Sequence, residues 1–119
     1  MKNLEIFINK NESDSYGEMK LIGKDLPSSL KCLKLRCGFT LEQFKELFKT
    51  CNVSLETIII DSFDWNYDHM KVITRFIKNK KSVKVLGIVS MDHKTLQELT
   101  MLKKRYGIFI IPSNELSRW

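Results

Sequence analysis

The sequence predicts an α/β fold, a short solenoid with parallel strands on one face and helices on the other. Three observations carry that expectation. The frame L-x-x-L-x-L, with aliphatic substitutes, occurs four times at near-constant spacing. Its copies are rich in β-branched residues and alternate inward and outward positions, as half-buried strands do. Between the copies, apolar residues recur at helical spacing.

The frame reads Met1, Leu4, Ile6; then Leu30, Leu33, Leu35; then Leu55, Ile58, Ile60; then Val83, Leu86, Ile88. Starts near 1, 30, 55 and 83 give gaps of 29, 25 and 28 residues, inside or at the edge of the roughly 20–29 expected for repeats of this frame. A degenerate fifth copy near 105 contains Ile108-Phe109-Ile110-Ile111 and is closed by Pro112, which cannot continue a central strand. The linker 10–29 differs from the others. Its Gly17, Gly23 and Pro27 leave room for a short turn at most, so it is expected to be a loop.

After the second strand, Phe44, Leu47, Phe48 and Cys51 share one helix face, with Thr40 and Gln43 spaced as a capping box. After the third come Met70, Ile73, Phe76 and Ile77, capped by Asn66 or Asp68. After the fourth come Leu96, Leu99 and Leu102, opened by Asp92. Connections this short imply parallel neighbours joined by right-handed crossovers. Lys34 and Arg36 at outward strand positions keep one sheet face wet, which favours helices on one side over a doubly wound sheet. In this frame Glu5 lies beside Lys34, and Arg36 beside Asp61.

Composition fits one folded domain over residues 1–119: 14.0 kDa, 43% apolar, 29% charged. No apolar run approaches the ~20 residues that span a bilayer, and the first residues lack a signal-like apolar core. A cytoplasmic or nuclear protein is expected. Cys32, Cys37 and Cys51 show no metal-ligand spacing and read as buried thiols. Lys and Arg number 20 against 14 Asp and Glu, a net +6. The basic clusters Lys78-Asn79-Lys80-Lys81 and Lys103-Lys104-Arg105 fall where helices should end, where cations complement the dipole. The alternative reading of that charge is a small basic nucleic-acid-binding α/β protein.

The runs Leu30-Lys31-Cys32-Leu33-Lys34-Leu35, Phe44 to Cys51 and Leu55-Glu56-Thr57-Ile58-Ile59-Ile60 resemble leucine-rich repeats of ribonuclease-inhibitor type, especially those of F-box proteins. The resemblance implies a curved repeat array that recognises another protein, in F-box receptors a substrate for ubiquitin ligation. It brings no catalytic residues. The chain departs from the pattern in lacking the F-box motif and the asparagine that usually follows each strand; Cys37, Ser62 and Ser90 stand near those positions. On this likeness it reads as the C-terminal repeat region of a longer array.

Catalysis is not expected. The stretch Asp61-Ser62-Phe63-Asp64-Trp65-Asn66-Tyr67-Asp68-His69 groups Asp, Ser and His, but adjacency in sequence does not supply the geometry of a triad. Its acids read as helix caps, and Trp65 and Tyr67 as cover for the strand-to-helix corner. His69 and His93 read as solvated residues in opening helical turns. No metal or other cofactor is expected, since the acidic stretch lacks the glycine and distal glutamate of a calcium loop.

The candidate contact surface comes from the outward strand positions. Lys34 and Arg36 form a basic shoulder, and Ile59, Val85, Gly87, Val89, Phe109 and Ile111 form an apolar strip that grows toward the C-terminus. Gly87 would let a partner approach the sheet. The competing reading has the tail 114–119 folded back over the strip, with Trp119 as its lid. The expected partner is another protein, with self-association through the uncapped N-terminal edge strand as a second contact.

Overall fold

In a computed structural model, residues 3–7, 26, 28–36, 41–61, 67–89, 93–112 and 115 are described. The elements run β1 (Asn3–Phe7), β2 (Cys32–Arg36), α1 (Leu41–Thr50), β3 (Thr57–Asp61), α2 (Tyr67–Lys80), β4 (Val85–Ile88), α3 (His93–Tyr106) and β5 (Phe109–Ile110). The sheet order is β1-β2-β3-β4-β5, and every neighbouring pair is parallel.

The register follows the sequence frame residue for residue. Leu4, Leu33, Ile58, Leu86 and Ile110 form one lateral row, and Leu35, Ile60 and Ile88 lie in the row two residues on. Glu5 is the register partner of Lys34, and Arg36 that of Asp61. The turns entering the strands repeat as well. The Lys31 carbonyl accepts from the amides of Glu56 and Thr57 at 2.9 and 3.0 Å, and the Glu56 carbonyl from those of Lys84 and Val85 at 2.7 and 3.0 Å. The Lys84 carbonyl then accepts from Phe109 at 2.9 Å. Lys31, Glu56 and Lys84 each follow the first residue of their frame, so equivalent positions do equivalent work.

Those first residues, Leu30, Leu55 and Val83, are buried with the inward strand residues. Their core is completed by Phe44, Leu47 and Phe48 of α1, Met70, Ile73, Phe76 and Ile77 of α2, and Leu99 and Leu102 of α3. The inward positions of β2, β3 and β4 face that one cluster, so the described helices share one side of the sheet. Aromatic rings join the first two helices: Phe44 meets Phe48 at 4.8 Å between centroids, and Phe48 meets Phe76 edge-on at 5.0 Å. Such pairs add about 0.5–1.5 kcal/mol beyond the area they bury.

Three expectations change. Leu96 is 46% exposed, and Thr95 with Leu99 and Leu102 forms the buried stripe of α3 instead. At about 100° per residue, Leu96 lies about 120° around the helix from Leu102, too far to share a narrow face. Asp68 sits inside the first turn of α2 rather than capping it, 3.8 Å from Lys71 in an exposed i,i+3 pair. His69 is buried at 3%, edge-on to Phe44 at 5.5 Å, and not solvated. The expected caps Thr40, Asn66 and Asp92, the frame residue Met1, Cys37 after the second strand, and most of the linker 10–29 lie outside the described residues.

Both basic clusters do fall at helix ends: Lys78 and Lys80 in the last turn of α2, and Lys103, Lys104 and Arg105 in that of α3. Past each end the chain turns left-handed. Gly107 has φ +66° and its amide donates to the Lys103 carbonyl at 3.1 Å; Lys81 has φ 56° and donates to Ile77 at 2.9 Å. Only glycine takes that conformation without a Cβ penalty. A Cβ at Gly107 would meet nothing within 4 Å, so the cost there is conformational alone. Lys81→Gly is expected to raise stability by about 0.5–1 kcal/mol, and Gly107→Ala to lower it by about 1 kcal/mol, in urea unfolding. A loss at Lys81→Gly would mean that the helix does not end there.

Candidate functional site

The outward sheet face is built by alternation. Residues between the inward ones, namely Cys32, Lys34, Thr57, Ile59, Val85, Gly87, Phe109 and Ile111, point the other way. Lys34 is half-buried on this face, and Arg36 follows it on the same strand at the register position of Asp61.

The apolar strip does not stand open along its length. Ile59 and Ile111 are 5% and 2% exposed and form a separate small cluster, with half-buried Val85 packed against it. Gly87 explains how they meet. It is the register partner of Ile59, and the Ile111 amide donates to the Leu86 carbonyl at 3.0 Å, which continues β5 past Gly87 on its other side. Two strands that flank a common neighbour are about 9.6 Å apart, and a missing side chain between them lets their isoleucines lean together. Gly87 is itself buried. The approach it was expected to offer a partner is therefore taken up by this chain's own side chains.

What remains exposed is the margin of the strip. Phe109 is 52% exposed and Val89 37%. Phe109 is the register partner of Val85, which adds a half-buried aliphatic beside it. The proposed lid, Trp119, lies outside the described residues, as does most of the tail 114–119.

Among the described residues, the thiols and the ring of Tyr67 are packed into the fold. Cys51 is buried at the end of α1 and Cys32 half-buried on the outward face; burial pushes both thiols up, against a smaller lowering by nearby groups. They are therefore poor thiolates at neutral pH. Of the acidic stretch 61–69, the described part gives Asp61 at the end of β3 and Tyr67, Asp68 and His69 opening α2. Tyr67 packs on the core edge, with the ammonium groups of Lys71 and Lys94 at 5.0 and 5.6 Å from its ring centre. Among the described residues, no group of three or more His, Cys, Asp and Glu could hold a metal ion, and no helix is long and apolar enough to cross a membrane.

One feature was not singled out from the sequence. The three described helices carry ten Lys and Arg against four Asp and Glu, an excess of six that equals the net charge of the whole chain. The basic character belongs to the helical side. Its signal lay in the spacing of Lys45 with Lys49 and Lys71 with Arg75, each i,i+4, but only the packing of α1 beside α2 brings the pairs together.

The fold and its surfaces define an α/β protein with a parallel sheet covered by helices on one described side. Compared with protein-family models, curated proteins and solved structures, the chain matches none.

A direct check of the outward cluster is Gly87→Val. Branched atoms placed between Ile59 and Ile111 are expected to cost about 1–3 kcal/mol through overpacking, and Ile59→Ala about 2–5 kcal/mol through the cavity it leaves. Two neutral substitutions in chemical denaturation would show that this face is open.

Proposed function

We propose that the chain is a protein-interaction module, a short solenoid of leucine-rich-type repeats similar to the substrate-recognition region of F-box ubiquitin-ligase receptors, working in the cytoplasm or nucleus. The observation that carries this reading is the repeated strand entry: carbonyls at equivalent frame positions, Lys31, Glu56 and Lys84, accept amides of the next strand in succession. Repeats stacked in this way offer a broad, rigid sheet face, and binding is the use such a face supports.

The contact patch is the exposed margin around Phe109, Val85 and Val89, with Lys34 and Arg36 as its basic shoulder. A half-exposed phenylalanine beside aliphatic side chains has the character of a binding anchor. The basic shoulder favours an apolar segment with acidic flanks. The edge strand β1 offers a second contact, self-association by strand addition. Nucleic-acid binding is the other reading, and the concentration of net charge on the helical side is the observation in its favour.

Affinity purification from the native cell, repeated with Val89→Asp and Phe109→Asp, tests the patch. Both substitutions are expected to abolish recovery of the partner while shifting stability by less than about 0.5 kcal/mol, as exposed positions do. A stability loss above about 2 kcal/mol at Val89→Asp would place that side chain under cover and overturn the patch.

A further inference from the structure

The seam between α1 and α2 forms an open groove of about 920 Å³ on the helical side, away from the proposed sheet-face patch. Lys45 and Lys49 line it from α1, and Lys71, Arg75 and Lys80 from α2. Asp68 is the one acidic residue among the described residues of the lining, and Lys71 pairs with it. With Asp68 set against them, these five cations leave the described lining with four net positive charges, a field that favours an anionic occupant.

The neighbouring seam is built differently. Between α2 and α3, the Thr74 hydroxyl donates to the Glu98 carboxylate at 3.4 Å, and Tyr67 takes the ammonium groups of Lys71 and Lys94 against its ring. Those contacts set polar groups of α2 and α3 against one another. The α1–α2 seam keeps its positive charge exposed around apolar side chains, with half-buried Leu41 and Val72 between the cations.

We infer that the α1–α2 groove binds an acidic peptide segment that also carries apolar side chains. Leu41 and Val72 give those side chains a place to bury, and the lysines and Arg75 meet carboxylates along both edges. Single-stranded nucleic acid fits less well. Phe48 and Phe76 line the groove but are only 6% and 5% exposed and pack on each other, so the described lining offers no open ring face on which a base could stack.

The test uses the full chain and three fluorescent probes: a Glu-rich peptide with leucines at i and i+4, the same peptide with serines in their place, and a single-stranded RNA of equal charge. The leucine peptide is expected to bind at least about tenfold more tightly than the other two, and to weaken at least about tenfold between about 0.05 and 0.5 M salt. Lys49→Glu with Arg75→Glu, both at exposed positions, should weaken it at least about tenfold, and Lys49→Gln with Arg75→Gln about threefold or more. Lys103→Glu with Lys104→Glu, in the last turn of α3, and Val89→Asp, in the sheet-face patch, should leave it unchanged. Failure of one surface is thereby separate from failure of the other. Equal or tighter binding of the serine peptide or the RNA, an equal loss from Lys103→Glu with Lys104→Glu, or no binding by about 1 mM peptide would each overturn the inference.

Discussion

Everything else in this molecule depends on the lateral register that sets Leu33, Ile58 and Leu86 in one row and Leu35, Ile60 and Ile88 in another. Strand side chains alternate with a period of two, so a slip of one residue would turn Lys34 toward the helices and Leu33 away from them. Six aliphatic side chains, each worth roughly 1.5–3 kcal/mol when buried, hold the strands against such a slip. The backbone agrees with them, since the entries of β3, β4 and β5 each anchor to the carbonyl at the same frame position of the strand before. The exposed ion pair of Lys84 with Glu56, at 3.5 Å, joins two of those positions but is worth at most about 1 kcal/mol. Packing sets the register, and charge follows it.

Both candidate surfaces follow from that register. On the outward face it places Gly87 between Ile59 and Ile111, closing the middle of an apolar strip and leaving Phe109 and Val89 as its open margin. On the other side it sets α1 next to α2, so that lysines from separate sequence segments face one groove. The sheet presents a small exposed apolar margin at Phe109 and Val89; the helices present a charged groove. They would take partners of related chemistry, acidic and partly apolar, by different means.

Much of this was legible in the sequence because its periods are strong. The strand frame, the register pairs of Glu5 with Lys34 and Arg36 with Asp61, and the inward residues of α1 and α2 all followed from spacing. What failed was local or depended on neighbours. Leu96 looked like core because a run of leucines three apart resembles a stripe, yet that spacing drifts around a helix and Thr95 occupies the face. His69 looked solvated because histidines at helix starts commonly are, but here Phe44 from the preceding helix covers it. The closure over Gly87 was invisible because it depends on what two other strands carry at the same level. The basic groove was hidden for the same reason, since each half of it reads as an ordinary solvated helix face.

The most direct test of the register is solution NMR of the uniformly labelled chain, read through cross-strand contacts between amide and α protons. The account predicts the parallel-sheet pattern linking Leu33 to Ile58, Ile58 to Leu86, and Leu86 to Ile110, with slowly exchanging amides at Thr57 and Val85 where the repeated carbonyls hold them. Contacts offset by one residue, or close pairs of α protons facing each other as in antiparallel strands, would contradict it.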